Sequence, residues 1–171
     1  MNTALFFWIH QWRGEWLDRL VVFGSVVGEA WNGLILLAVL LLVPRWRVLL
    51  RSYVPAYALM GALSLGMKRA FAMPRPPQAL GAQVHPVGPI PDSFSFPSGH
   101  AMFAAMLLTW LWPLATRGQR ALLLGWALFI GFARVNVGAH FPVDVAAGWL
   151  IGGLVGWAVQ RGKSASGMPL Q

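Results

Sequence analysis

The sequence predicts an all-α membrane protein: a polytopic bundle of about five transmembrane helices, with an N-terminal helix in the membrane interface. Of the 171 residues, 57% are hydrophobic and only 11% are charged, whereas soluble chains average about 25% charged residues. Five segments approach the roughly 20 mostly apolar residues that a helix needs to cross a bilayer. No stretch of about ten residues alternates between apolar and polar positions, as the strands of a membrane barrel would.

Residues 1–27 precede these segments and have an amphipathic pattern. Their apolar side chains recur at steps of three and four positions, at Leu5, Trp8, Ile9, Trp12, Trp16 and Leu20. A tryptophan-rich helix of this kind lies flat in the membrane interface, and we favour that arrangement over a sixth crossing of the bilayer. His10 is then expected on the polar face of this helix.

The five apolar segments cover residues 28–43, 51–70, 98–115, 120–137 and 142–160. The first is short, so we expect its helix to begin within the preceding residues. The last contains the run GWLIGGLVGW, and glycines at this density allow two helices to approach closely in lipid. No internal repeat or low-complexity stretch divides the chain, so we expect a single integral membrane domain over residues 1–171.

The loops between the segments predict the orientation. Seven cations lie on one face of a five-span arrangement, with no acidic residue among them: Arg45, Arg47, Arg51, Arg117, Arg120, Arg161 and Lys163. Cytoplasmic loops carry such an excess of Lys and Arg, so the opposite face, with the long 71–97 loop, should face the periplasm or exterior. The net charge of +8 is spread over short clusters between apolar runs, so no nucleic-acid partner is expected.

The first group of ionisable residues at the outer face is Lys68 with Arg75. Ionisable residues at the membrane edge are expensive and indicate function by default. The prolines around Arg75, in the run MPRPP, make the segment that carries it stiff. The alternative is that both side chains merely reach the interface as anchors, although positive charge on this face opposes the topological bias.

The second group is the sequence PSGH, residues 97–100. Ser98 is a good N-cap residue, so the amides of Gly99 and His100 should begin a helix and point outward. A helix start of this kind binds anions through its free amides and its dipole. The alternative is an ordinary helix cap followed by an interfacial histidine.

The third group is Arg134, His140 and Asp144, in the run ARVNVGAHFPVD. If a helix begins near residue 142, His140 and Asp144 can meet across its first turn, where the carboxylate would fix the imidazole tautomer and raise its basicity. The alternative is a structural pair that satisfies its own hydrogen bonds.

Together the three groups indicate an oxyanion site, and phosphate is the expected oxyanion. They supply three cations, two histidines, one carboxylate and a helix N-terminus, and the chain has no cysteine. The neighbouring cations would repel a divalent metal and attract a tetrahedral oxyanion. We therefore expect neither a metal nor a cofactor.

These residues and their spacing resemble the three-part signature of the type 2 phosphatidic acid phosphatase family, which shares its site with vanadium-dependent haloperoxidases and bacterial acid phosphatases. The similarity covers residues 50–160, with the motifs in the family's order. The third motif of the family usually begins Ser-Arg, whereas Ala133 precedes Arg134 here, which removes a hydroxyl near the expected phosphate pocket.

The resemblance implies a role for each residue. His140 would be the nucleophile that forms a phosphohistidine, Asp144 would orient it, and His100 would be the general acid and then the general base. The phosphate-binding residues would be Lys68, Arg75, Ser98, Gly99 and Arg134.

The expected function is metal-independent hydrolysis of a lipid phosphate or diphosphate at the outer face of a bacterial inner membrane. Undecaprenyl diphosphate is the favoured substrate, ahead of phosphatidylglycerol phosphate, phosphatidic acid and lipid A phosphate. The 78–96 loop is expected to shape the entrance, with His85 and Asp92 as plain loop residues. The alternatives are a lipid phosphotransferase that uses the same phosphohistidine and a non-catalytic lipid-binding membrane protein. The sequence predicts no oligomeric state.

Overall fold

The computed structural model describes residues 2–165, with side chains as far as Gly162, and all of its regular secondary structure is helical. This confirms the all-α prediction. Residue 1 and residues 166–171 of the predicted domain lie outside the described residues. The α-helices are α1 (Asn2–His10), α2 (Glu15–Val27), α3 (Asn32–Leu42), α4 (Leu50–Phe71), α5 (Pro76–Leu80), α6 (Gly99–Leu111), α7 (Arg117–Asn136) and α8 (Pro142–Ala165). Short 3₁₀ turns cover Pro44–Leu49, Gly81–Gln83 and Trp112–Leu114.

The N-terminal 27 residues form two helices, so the prediction of one continuous interfacial helix is wrong. The chain leaves helical geometry between His10 and Glu15. Helix α1 packs against α7 and α8 through Phe6, which is fully buried and lies 5.4 Å, centroid to centroid, from the ring of Phe141. His10 is also buried, which overturns its expected place on a polar face, because its partners come from distant parts of the chain.

Helices α2 and α3 are separated by a short break and meet at a bend of 52°. Together they are long and apolar enough to form one broken span. This agrees with the expectation that the short 28–43 segment begins within the residues before it.

By length and apolar composition, two segments in the described part of the chain qualify as membrane spans: Pro44–Gln83, which contains α4, and Pro142–Gly162 of α8. The bent α2–α3 pair makes a third. Helix α6 with its 3₁₀ extension reaches only from Gly99 to Leu114, and α7 carries arginines at both ends. The count of five crossings therefore stays a prediction for α6 and α7.

Helix α6 lies at the centre of the bundle, where eight of its 13 residues are buried and the others are half-buried, and it packs closely along α8. Gly148, Gly152 and Gly156 line the α8 side of this contact. A Cβ at Gly148 would lie 2.7 Å from the carbonyl oxygen of Ser98, and one at Gly152 would overlap the carbonyl of Met102. The glycines thus allow the backbones to touch, as predicted from the GWLIGGLVGW run.

The starts of α6 and α8 are brought together by this contact. Ser98 caps α6, because its Oγ accepts a hydrogen bond from the amide of Ala101 at 3.5 Å. Pro142 occupies the first position of α8, where a backbone N–H would have no intrahelical acceptor, so the lack of one in proline costs nothing. The amide of Ser98 donates to the carbonyl oxygen of Asp144 at 3.0 Å. Two helix N-termini therefore lie side by side at one end of the bundle.

Replacing Gly152 by alanine should destabilise the protein, because the new Cβ would meet the Met102 backbone rather than a side chain that can move. We expect a loss of about 1–3 kcal/mol, the usual cost of overpacking, measured as a lower unfolding temperature in detergent. Gly153→Ala is the matched control, since its Cβ would find only Thr109 Cγ2 at 3.8 Å. Equal unfolding temperatures for the two variants would contradict the proposed backbone contact.

Candidate active site

The three predicted groups of residues converge at the end of the bundle where α6 and α8 begin. Lys68 lies in the last turn of α4 and Arg75 is the N-cap of α5. Arg134 lies in the last turn of α7, and His140 follows in the turn that leads into α8. The remaining predicted residues, Ser98, Gly99, His100 and Asp144, lie at the two helix starts.

Arg75 is buried and joins two loops. Its Nη1 donates to the carbonyl oxygen of Ala139 at 2.9 Å and lies 3.2 Å from Nε2 of His140. On its other side, Nε donates to the carbonyl oxygen of Ser93 at 2.7 Å, and Nη2 donates to the Ser93 hydroxyl at 3.0 Å. Since a guanidinium only donates, Nε2 of His140 carries a lone pair in this contact.

His140 is almost completely buried, with 2% of its surface exposed. Burial first, and then the positive charges of Arg134, Arg75 and Lys68, hold the pKa of His140 well below its ordinary value. The imidazole is therefore neutral near pH 7, with the Nε2 lone pair facing Nη1 of Arg75. Its Nδ1 has no hydrogen-bond partner among the described residues.

Asp144 lies beside His140 but is bonded mainly to other groups. Its Oδ2 is 3.6 Å from Nδ1 of His140, which is longer than a hydrogen bond. The same oxygen accepts the hydroxyl of Ser95 and, at 2.8 Å, the amide of Phe141. The structure thus places the predicted pair side by side without a hydrogen bond between them, and the carboxylate is held by donors that the sequence analysis missed.

Ser93 and Ser95 are therefore additional residues of the site, and both belong to the loop that was expected to shape the entrance. Ser95 is fully buried, and its amide donates to the carbonyl oxygen of Met73 at 2.8 Å. No spacing rule connects position 95 with position 144. The only sequence signal was a serine close to the helix cap in the run FSFPSGH.

His100 is half-buried in the first turn of α6, within electrostatic range of Arg134, His140 and Arg75. Its Nε2 lies 3.0 Å from the backbone carbonyl oxygen of Ser25 in α2. Because a carbonyl oxygen only accepts, this nitrogen carries a proton, and Nδ1 is left to exchange a proton with a ligand. Ser25 was not singled out by the sequence analysis.

Arg134 is buried, and its Nε has no hydrogen-bond partner in the described part of the chain. A buried donor without a partner costs about 1–3 kcal/mol, so its presence indicates a site for an acceptor ligand. Arg134 also lines a small cavity of about 90 Å³ together with Ser25 and Glu29.

Lys68 and the start of α6 complete the site. The ammonium group of Lys68 donates to the carbonyl oxygen of Phe94. The amides of Gly99 and His100 are the first of α6 and so have no intrahelical acceptor. The arrangement offers cationic and amide donors around a neutral imidazole, which suits a tetrahedral oxyanion.

Comparison with known proteins identifies relatives of this chain by sequence and by fold. A protein from Sulfolobus acidocaldarius named undecaprenyl-diphosphatase is 31% identical over 159 residues, covering 88% of this chain and 73% of the relative. The crystal structure of Aquifex aeolicus LpxE superimposes with a TM-score of 0.84 at 29% identity and covers 94% of both chains. That of a transmembrane PAP2-type phosphatidylglycerolphosphate phosphatase from Bacillus subtilis superimposes with a TM-score of 0.80 at 22% identity, covering 99% of this chain and 87% of the other.

The family model described as the PAP2 superfamily matches residues 49–167, a range that contains every catalytic and phosphate-binding residue predicted from the sequence. That match extends over more than half of the chain. The chain therefore belongs to the PAP2 superfamily and, with it, to the phosphoric ester hydrolases that act on lipid phosphates.

Proposed function

We propose that this protein hydrolyses undecaprenyl diphosphate, or another lipid phosphate of similar head group, through a phosphohistidine formed on His140. The observation that carries the proposal is the position of Nε2 of His140. It belongs to a buried, neutral imidazole, it lies 3.2 Å from Arg75, and Arg134 nearby has a donor without a partner. This is the environment in which a histidine attacks an anionic phosphorus centre.

In the first step, Nε2 of His140 forms a bond to the terminal phosphorus as the bond from that phosphorus to the leaving oxygen breaks. In a lipid diphosphate this is the bridging oxygen, which departs with the lipid monophosphate, and in a lipid monophosphate it is the lipid oxygen. His100 donates a proton to the departing oxygen. Because Nε2 of His100 keeps its proton on the Ser25 carbonyl, His100 enters this step as an imidazolium, donates the proton from Nδ1 and leaves the step neutral. Asp144 faces Nδ1 of His140 and stabilises the positive charge that develops on the ring.

In the second step, neutral His100 removes a proton from water, whose oxygen attacks phosphorus and breaks the phosphorus–nitrogen bond. Inorganic phosphate leaves and His140 is restored. In both steps, Lys68, Arg75, Arg134 and the amides at the start of α6 stabilise the equatorial oxygens. Fixed donors of this kind supply much of the catalysis in phosphoryl transfer.

The location of the site supports a lipid substrate. It lies at the end of a helical bundle whose outer surface is largely apolar, so a substrate can keep its tail in the bilayer while its head group enters among the cations. The similarity to a relative named undecaprenyl-diphosphatase favours that substrate. We place the site at the outer face of a bacterial inner membrane, because the basic loops occupy the opposite face.

His140→Asn should reduce phosphate release from purified undecaprenyl diphosphate by at least about 10³-fold, because no other neutral nucleophile replaces it. The assay is run in detergent with a metal chelator, together with the alternative lipids. Asp92→Asn, an exposed position on the nearby loop, is the control and should retain full activity. Undiminished turnover by His140→Asn would contradict the phosphohistidine mechanism.

Ser95→Ala should lower kcat by about 10-fold, since hydrogen bonds to charged groups are worth about 1.5–3 kcal/mol and the Asp144 carboxylate would lose one. Ser52→Ala is the matched control. Ser52 is equally buried, but its hydroxyl accepts from Trp110 in the core, so its loss should affect stability and leave kcat unchanged. Similar kcat values for both variants would show that Ser95 does not support catalysis.

The orientation can be tested with single cysteines, because the chain has none of its own. Gln83 and Gln119 are both exposed, and the predicted topology places them on opposite faces of the membrane, so each is replaced by cysteine in turn. An impermeant thiol reagent added to intact cells should label position 83 and leave position 119 unlabelled. The reverse result would place the site on the cytoplasmic side.

A further inference from the structure

We propose that His10, Arg13 and Asn136 form an N-terminal clamp that positions Arg134 and His140 for catalysis. None of the three lies among the residues that hold the phosphate, so each is a positioning residue that acts through its neighbours. The inference rests on the proposed phosphatase function and assigns part of it to a segment outside the matched family range of residues 49–167.

Asn136 is the last residue of α7 and is completely buried. Its side-chain Nδ2 donates to the carbonyl oxygens of Ile9 and Trp12, both at 2.9 Å. Its own backbone carbonyl oxygen lies 2.8 Å from Nδ1 of His10 and accepts Nη1 of Arg13 at 3.0 Å. Both the side chain and the backbone of Asn136 are therefore tied to the link between α1 and α2.

The contacts of His10 fix its tautomer. Nη2 of Arg13 lies near both ring nitrogens, 2.8 Å from Nδ1 and 3.0 Å from Nε2, so it does not select a tautomer. The amide of His85 donates to Nε2 at 3.3 Å, so this nitrogen carries the lone pair. Nδ1 then carries the proton and donates to the carbonyl of Asn136. Burial lowers the pKa of His10, which agrees with a neutral ring. One imidazole thus connects the N-terminal link, the loop at residue 85 and the end of α7.

The turn that follows Asn136 is closely packed against the clamp. Gly138 has a positive φ of 84°, and a Cβ there would lie only 3.1 Å from Cε1 of His10 and 3.2 Å from Val84. The amide of Val87 donates to the carbonyl oxygen of Val137 at 3.1 Å. The backbone of residues 136–138 is therefore packed against His10 on one side of the turn and against residues 84–87 of the loop.

The same turn connects the two catalytic side chains. The carbonyl oxygen of Arg134 accepts the amides of both Ala139 and His140, each at 3.1 Å, so Arg134 and His140 belong to one folded unit. On the side of the turn that faces the site, Nη1 of Arg75 donates to the carbonyl oxygen of Ala139 at 2.9 Å. The turn is thus fixed between Arg75 and the clamp, and loosening the clamp lets it shift relative to Arg75 and His100. A misplacement of about 1 Å can cost about 10²-fold in rate.

The test compares Asn136→Asp with wild type. The change is nearly isosteric, but it replaces the two donors of Nδ2 with an anionic oxygen that faces the carbonyls of Ile9 and Trp12. We expect kcat to fall by about 10- to 100-fold while KM for the lipid changes by less than about threefold, because the lipid-binding surface is untouched. Gln11→Glu is the matched control: it makes the same amide-to-carboxylate change on an exposed side chain of the same link and should retain wild-type kcat.

A second readout does not depend on turnover. Orthovanadate, which resembles the transferring phosphoryl group, should bind about 10-fold more weakly to Asn136→Asp than to Gln11→Glu, measured by tryptophan fluorescence on folded protein in detergent. If Asn136→Asp does not fold, Arg13→Gln is used in its place. The Arg13 side chain is more exposed than that of Asn136, and the substitution removes the hydrogen bonds that Arg13 donates to the carbonyl oxygens of Asn136 and His85. The same separation of kcat from KM is expected.

The proposed clamp is overturned if Asn136→Asp, or Arg13→Gln in its place, matches Gln11→Glu in kcat and in vanadate affinity. It is also overturned if the variant raises KM without lowering kcat, or if its activity per folded molecule equals that of wild type. A wild-type protein that binds vanadate and hydrolyses no lipid phosphate overturns the proposed function alone, because vanadate affinity still tests the clamp. A wild-type protein that binds no vanadate overturns both.

Discussion

The backbone contact between α6 and α8 is the constraint on which the site depends. Gly148, Gly152 and Gly156 remove the side chains that would hold the helices apart. In a bilayer, where apolar burial gives no preference for one helix neighbour over another, such close packing is a main source of association. The consequence is a fixed register, visible in the bond from the Ser98 amide to the Asp144 carbonyl oxygen, which places the start of α6 beside the residue that we propose to stabilise the charge on His140.

Burying several charges at one end of an apolar bundle is costly, and the structure offsets most of that cost with neutral acceptors. Arg75 bonds to the carbonyls of Ser93 and Ala139, and Lys68 bonds to that of Phe94. Carbonyl partners keep the cations in place without neutralising them, so their field still acts at His140. Arg134 is the exception, since its Nε has no partner among residues 2–165, and we propose that an oxyanion of the substrate supplies the missing acceptor. Donors arranged in advance in this way cost no reorganisation during reaction.

The sequence predicted those parts of the molecule that follow from local pattern. Apolar segments, the Ser98 cap, the glycine face of α8 and the family motifs were all placed on the correct elements. Ser25, Ser95 and the clamp were missed, because each acts through a partner 49 or more positions away, and one chain gives no signal for such pairs. The break after His10 was missed because the apolar steps from Trp8 through Trp12 to Trp16 continue across it. Periodicity reports which face is apolar and says nothing about where a helix changes direction.

The N-terminal segment, predicted to lie at the periphery, contacts α6, α7 and the turn before α8 through different residues. Ser25 holds the tautomer of His100, and the clamp holds the turn that carries His140. Val21 packs with Ala133, Val137 and Ala139 in one buried apolar cluster. This cluster also explains the alanine where the family usually has serine, because a methyl group satisfies the packing against α2 without a buried hydroxyl that would need a partner. Residues 2–27 therefore belong to the architecture of the site even though the family signature begins later in the chain.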